Sequence, residues 1–344
     1  MDTISGFWAG AQDIADKIDL DAVVSRAGGW RQLMDARTDD LIQLGVRPAL
    51  AQRWRRAPPR TTHARAITRV HPAYPARLAR RPKAPPVLYV DGDAEVLSGR
   101  CIAIVGTRRC TPYGAAVARH LAAGFARNGW AVVSGLARGI DTHAHRGALE
   151  GGRTAAVLGH GLATTSPASN RGLRREIVDR GGAMVTTFPD DHAPARWTFP
   201  DRNRWIVGLS ELLVVVEAPF RSGALISAQH ALEIDLPVHV VPGHVGVSAC
   251  RGSNELIEAG AAPLIDIERF VDEWTGRLPF DAPPPSWLQE VLAGHSVDHV
   301  AAQHGHSTLD LIGHLTELEL EGLVVRLPGG RYASTGLDLG GDGV

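Results

Sequence analysis

The chain has 344 residues, 44% hydrophobic and 21% charged, which is the balance of a folded globular protein of about two or three domains and excludes a disordered or fibrous chain. Its net charge of −1 excludes a polycation that would adhere to nucleic acid over its whole surface, so any anion site must be local. No apolar run approaches the roughly 18 residues of a membrane span, and acids stand where a secretion signal carries bases, so a cytoplasmic protein without a membrane partner is expected.

Residues 1–58 read as short helices, with apolar positions at helical spacing in DAVVSRAGGWRQLMD and DDLIQLGVRPALAQRW, and predict a small helical domain of the SAM or helix-hairpin-helix kind. Residues 53–69 hold six arginines, no acid and two adjacent prolines, a composition that predicts a solvated linker. From about residue 85 the pattern changes to short runs of Val, Ile, Leu and Ala, each followed by a small-residue turn and a helical stretch. The runs at 87–90, 102–105, 131–134, 154–158, 184–187, 212–216 and 238–241 predict strands covered on both faces. Their alternation with helices predicts an α/β fold, a doubly wound, mostly parallel Rossmann-like sheet spanning residues 66–275. After a proline-rich break at 278–285, helices are predicted at 287–292, 297–304 and 308–321. A hairpin turning at Pro328-Gly329-Gly330 completes a winged-helix order within residues 286–335. Ser307 with Asp310 forms the pattern of a capping box for the last of these helices, and the final ten residues, rich in Gly and Asp, are expected to be loose. Cys101, Cys110 and Cys250 are too few and too scattered for a disulfide framework or a zinc site, and predict thiols.

In an open α/β sheet, ligands bind beyond the carboxyl ends of the strands. The segments there are Gly106-Thr107-Arg108-Arg109, Gly135-Leu136-Ala137-Arg138-Gly139, Gly159-His160-Gly161, Asn170-Arg171, Arg202-Asn203-Arg204 and Ser222-Gly223. Glycine lets backbone N–H groups approach an anion, helix N-termini add partial positive charge, and arginine supplies bidentate phosphate contacts. A row of such loops along one sheet edge suits a strand with several phosphates better than a single phosphate. Two of the 36 basic residues are lysines, Lys17 and Lys83. Genomic base composition explains that skew as well as function does, so placement carries more information than count.

The stretches IAIVGTRRCTPYG, VVSGLARGIDTHAHRGAL, AVLGHG, FPDRNRWIVGLS, VVEAPFRSGALISAQHALE and VVPGHVGVSACRGSNELIEAGA occur in one order. Together with HPAYPARLARRPKAPPVLYVDGD, they resemble the motifs of the DprA/Smf family over roughly residues 68–272. The resemblance implies a protein that binds single-stranded DNA and loads the RecA recombinase onto it, chiefly in natural transformation, as a homodimer and with no cofactor. By motif position it implies DNA contacts from Gly106, Thr107, Arg108, Asn170 and Arg171, and a partly structural role for Arg202, Asn203 and Arg204. With Arg109, Gly135 and Arg138 from the loop pattern, these make the expected DNA-binding set. Thr107 stands for the family's usual Ser and keeps the hydroxyl. Ser166 stands for the usual Tyr and removes a stacking surface.

A search of the same edge for catalytic groups finds Asp141, His143, His145 and Glu217. Residues two apart on a helix point apart, so His143 and His145 do not form a metal pair, and Asp141 is expected as a helix N-cap. Glu217 is left as the residue with no evident structural duty. The main rival reading is a nucleotide-binding or phosphoribohydrolase-type enzyme on the same scaffold. Its PGGxGTxxE motif is missing where this chain has EAPFRSGALISA. A transcription factor is the third reading, but the predicted 308–321 helix carries acids and no Lys or Arg, which opposes insertion among phosphates. Its Leu309, Ile312, Leu315, Leu318 and Leu320 are expected in a core, and self-association is expected through residues 253–274.

Overall fold

The computed structural model describes residues 2–276, 285–320 and 324–334. They fall into two compact units, Met1–Ile267 and Glu268–Val344. In the first unit β1 (Asp2–Ile4) is followed by five helices, α1 (Gly6–Ile14), α2 (Leu20–Arg26), α3 (Trp30–Asp35), α4 (Thr38–Gln43) and α5 (Pro48–Arg56). Their apolar positions close on a core of their own around Ile14, Leu33, Leu41 and Trp54, and the Trp54 indole N–H donates to the Phe7 carbonyl at 3.0 Å. Ile4, Trp8 and Ala9 belong to a second core shared with the sheet, so the helical segment is built onto the α/β body.

The expected linker is instead structure. Residues 60–62 form β2 (Arg60–Thr62), antiparallel to β1, and 65–68 form β3 (Arg65–Thr68), one of the two edge strands of the main sheet. Charge density misled there because the arginines serve structure: Arg60 pairs with Asp13 at 2.7 Å, and Arg69 lies over the Trp30 and Tyr74 rings. The β-branched residues Thr61, Thr62, Ile67 and Thr68 in these segments are the signal that outweighs it.

After α6 (Ala76–Ala79) come β4 (Val87–Gly92), β5 (Cys101–Val105), α7 (Pro112–Arg127), β6 (Ala131–Ser134), α8 (Ile140–Gly151), β7 (Thr154–Val157), α9 (Arg171–Asp179) and β8 (Ala183–Thr186). The unit continues with α10 (Thr198–Gly208), β9 (Leu212–Val215), α11 (Gly223–Leu232), β10 (Val238–Val240), α12 (Arg251–Glu258) and β11 (Ala262–Pro263). The nine strands lie in the order β11-β10-β9-β5-β6-β7-β8-β4-β3. Those from β11 to β8 are parallel, with Ile102 beside Leu212, while β4 runs antiparallel to both β8 and β3. All seven expected strands are present, and only the 87–90 run departs from the parallel pattern.

Alternate residues of the strands enter different cores, as the pleat requires. Ala103, Val105, Val133 and Leu213 pack with Trp205 of α10 and Ala224 and Ala228 of α11, while Ala156, Leu158 and Met184 pack with Leu173 and Ile177 of α9. Since β6 lies on one side of β5 and β9 on the other, the chain reverses its direction of winding between β5 and β9. The crevice beyond their carboxyl ends is the topological switch point.

α13 (Ile267–Thr275) follows β11. The second unit then contains α14 (Ser286–Leu292), α15 (Val297–His304), α16 (Thr308–Leu320) and the hairpin β12 (Val324–Leu327) with β13 (Arg331–Ser334), the winged-helix order. Ser307 accepts from the Asp310 N–H at 3.1 Å, the N-cap half of the expected box. Leu311, Leu315 and Leu318 are buried, whereas Leu309, Ile312 and Leu320 are exposed, so only part of the expected apolar stripe is core. Apart from Pro285, the proline-rich segment lies outside the described residues, as do Glu321 and the last ten residues. No helix among the described residues is long and apolar enough to cross a membrane.

Candidate nucleic-acid interface

The loops after β5 and β9 are pressed together. The Thr107 N–H donates to the Glu217 carbonyl at 2.7 Å, and the Thr107 carbonyl accepts from the Ile140 N–H at 3.1 Å. A side chain at Gly106 would press on Ile140 and the Glu217 backbone, and one at Gly139, at φ 76°, would overlap the backbone of Thr107 and Arg108. Glycine is therefore required at both positions by close approach. The Thr107 hydroxyl accepts from the Arg109 N–H at 3.3 Å, while the Arg108 and Arg109 side chains project exposed.

Glu217, which had no assigned duty, has one. Its buried carboxylate accepts from the Thr111 N–H at 2.9 Å and from the Thr111 hydroxyl, holding the N-terminus of α7 against β9. Asp141 is not an N-cap, since Gly139 occupies that position and Asp141 lies within the first turn of α8. Its carboxylate reaches back to accept from the Gly135 N–H at 3.1 Å and the Ala137 N–H at 3.3 Å, and pairs with Arg202 at 3.7 Å. The Arg202 guanidinium fills the space a side chain at Gly135 would need, and it donates to the Val157 carbonyl at 2.9 Å. Burial raises the Asp141 carboxyl and lowers the Arg202 guanidinium from their ordinary values, while each partner opposes the shift of the other.

His145 is fully buried. Its Nε2 accepts from the Leu136 N–H at 3.3 Å, and its Nδ1 lies 2.7 Å from the Thr154 hydroxyl, which donates onward to the Val132 carbonyl. Burial pushes this imidazole down to about 3, so it is neutral at physiological pH. His304 bonds Glu290 at 3.0 Å, and no cluster of three metal-ligating side chains occurs among the described residues.

Beyond the strand ends a cavity of about 440 Å³ opens at the switch point. Gly106, Thr107 and Arg108 form one wall, Arg202 and Asn203 of α10 another, and Ser222, Gly223 and Ser227 at the start of α11 a third. Asn203 donates to the Gly223 carbonyl at 3.0 Å, tying the last two walls together, and Arg108 lies over the Phe199 ring with 5.1 Å to its centroid. Two buried groups lining the cavity lack protein partners: the Ser227 hydroxyl, in a residue only 1% exposed, and Nε of Arg202, 5% exposed.

Five expected site residues thus line one cavity, and Gly135 packs behind it against Arg202. Arg109 and Arg138, on loops, and Arg171, at the first position of α9, are exposed at the same sheet edge. Asn170 is buried and donates to the Leu136 carbonyl and the Thr142 hydroxyl, each at 2.9 Å, which fixes the loop after β6. Arg204 pairs with Asp201 at 2.7 Å and lies over Trp205, and it does not line the cavity. Arg196, Phe199, Ser222, Gly223 and Ser227 were not in the expected DNA-binding set, although Ser222-Gly223 was among the segments placed at this edge. The rule that ligands sit at the reversal of strand order points to the last three once the order is known, whereas Arg196, in an irregular loop, carries no periodic or motif signal.

Residues 65–275 match the family model for DNA recombination-mediator protein A, and residues 294–330 match that for the DprA winged helix domain. The chain is 36% identical over 276 residues to Protein Smf of Escherichia coli, covering 75% of this chain and 74% of that one. It is 39% identical over 191 residues to DNA processing protein DprA of Bacillus subtilis, covering 55% and 64% of the two chains. The X-ray structure of DNA processing protein A from Streptococcus pneumoniae superposes with a TM-score of 0.69 at 28% identity, covering 78% of this chain and 98% of that one. A structure of the same protein from Helicobacter pylori, described for its single-stranded DNA binding mode, gives 0.55 at 30% identity, covering 62% and 96%. This chain belongs to the DprA/Smf family of DNA recombination-mediator proteins.

Proposed function

We propose that the chain binds single-stranded DNA without catalysis through the switch-point cavity and passes it to the RecA recombinase. The observation that carries this reading is the cavity itself: an arginine rim, the N-terminus of α11, and two lining residues, Ser227 and Arg202, each of which holds a buried polar atom without a protein partner. Buried polar groups without partners are costly, and a phosphate oxygen supplies acceptors for both. Arg109, Arg138 and Arg171 then meet the flanking phosphates. A cavity of this size favours a strand that can bend in over a stacked duplex, and Phe199 at its wall offers a ring face to a base. The Helicobacter relative's single-stranded DNA binding supports the same reading.

Three titratable groups at this sheet edge, Asp141, Glu217 and His145, have structural duties. Asp141 holds a loop, Glu217 holds a helix end and His145 is neutral and walled in, so none is free to act on a phosphate ester or a glycosidic bond. Incubation of the purified chain with nucleoside monophosphates should release no free base, and release at a steady turnover would restore the enzymatic alternative. The hand-over to RecA rests on family membership. Adding the chain to RecA and DNA precoated with a single-strand binding protein should shorten the lag before RecA ATP hydrolysis; an unchanged lag at one chain per site would refute loading while leaving DNA binding intact.

A further inference from the structure

The loop joining β9 to α11 carries an aromatic ring that does not line the cavity. Phe220 is 51% exposed, and the guanidinium carbons of Arg221 and Arg251 each lie 5.2 Å from its ring centroid. Arg221 adopts φ 58°, in the left-handed region that a non-glycine residue enters at a cost and that clusters at functional sites. Arg251, at the start of α12, is held in place by a close approach of backbones. A side chain at Gly252 would come within 2.8 Å of the Pro219 carbonyl and 3.0 Å of the Ala218 carbonyl, and the Ser253 N–H donates to that same Ala218 carbonyl at 3.0 Å. The backbone segments that carry the ring and its two cations are therefore held together by the fold, and the Arg251 guanidinium also pairs with Glu255 at 3.1 Å. Phe220 and Gly223, which lines the cavity, are three residues apart, so their Cα atoms lie at most about 11 Å from each other.

We propose that Phe220 is a base-stacking platform for single-stranded DNA, with Arg221 and Arg251 meeting the phosphates on either side of the stacked base. The proposal rests on the single-strand reading above and extends it to a nucleotide next to the one whose phosphate enters the cavity. An exposed ring bordered by two cations matches a planar base bordered by anionic phosphates, since every base offers a π face. An apolar protein surface would have to strip water from the Arg221 guanidinium without neutralising it.

The test is fluorescence anisotropy with a poly-dT oligonucleotide and with an abasic sugar–phosphate strand of equal length, for the wild type, Phe220→Ala, Phe220→Trp and Arg108→Ala. Phe220→Ala should weaken dT binding roughly fivefold to a hundredfold, the range that one aromatic–base stack supplies. It should leave abasic binding unchanged, Phe220→Trp should retain wild-type affinity, and Arg108→Ala should weaken both ligands. If Phe220→Ala binds dT like the wild type while Arg108→Ala is weakened, the platform is refuted and the single-strand reading stands. Equal weakening on dT and abasic strands would make Phe220 a packing residue and also refute the platform. A wild type that shows no affinity for the single strand would overturn the reading and the platform together.

Discussion

His145 shows how one buried side chain sets a pH response. With its folded value pushed down to about 3 and an unfolded value near 6.5, the native state binds fewer protons than the unfolded state between those limits. Its contribution is complete above pH 6.5 and is lost as pH falls. Between pH 6.5 and 5 the wild type should lose roughly 2 kcal/mol of unfolding free energy more than a His145→Gln variant, as read by urea melts at the two pH values. Parallel pH profiles for the two proteins would disprove that assignment. Gly135 gives a second case, since a methyl group there meets the Arg202 guanidinium. Gly135→Ala should cost about 1–3 kcal/mol by overpacking or by displacing the buried pair, as read by the same melts. The motif GLARGID was legible in the sequence as a loop of the site, but the reason for its glycine was not, because Arg202 reaches it from a helix more than sixty residues away.

Elements were legible where apolar periodicity was continuous. The strands in the runs at 102–105 and 131–134 are covered on both faces and read as unbroken apolar segments, whereas β3, at the sheet edge, has one neighbour and a polar sequence. That polarity, together with the nearby arginines, gave it the look of a linker. The α16 stripe was misjudged for a related reason: periodicity marks a face without fixing how wide the buried stripe is, and Leu309 and Leu320 fall outside it. At the start of α7, Thr111 caps the helix by accepting from the Gly114 N–H at 3.1 Å, and Glu217, on the loop after β9, holds that cap in place, which local spacing cannot reveal. Glu217→Ala should destabilise the protein by about 1–3 kcal/mol in chemical denaturation, through removal of two partly buried hydrogen bonds and the helix-end charge interaction. A change below a few tenths of that unit would mean water replaces the carboxylate without cost.

At the scale of the whole molecule, strand order decides where function can sit. Loops from β5, β6 and β9, distant in sequence, converge because the winding reverses between β5 and β9, and that reversal opens the cavity. The order was not readable from residues alone; the loops were, and so was the family they resemble. Self-association through residues 253–274 is a proposal of the same scale, and sedimentation that finds only monomer at micromolar concentration would refute it. Removing residues 286–344 should leave single-stranded DNA affinity within about twofold, because every proposed phosphate or base partner lies within Met1–Ile267, a unit with its own cores.

Occupation of the switch-point cavity by a single strand is read out by anisotropy titrations of poly-dT and an equal-length duplex across a salt series, for the wild type and Arg108→Ala. Binding should be tight, salt-sensitive and selective for the single strand, and about tenfold or more weaker in the variant. The variant's salt slope should be shallower by about 0.7, because one phosphate fewer is neutralised. Equal affinity for duplex and single strand, or an Arg108→Ala variant that binds like the wild type at every salt concentration, would contradict a single-strand site in this cavity.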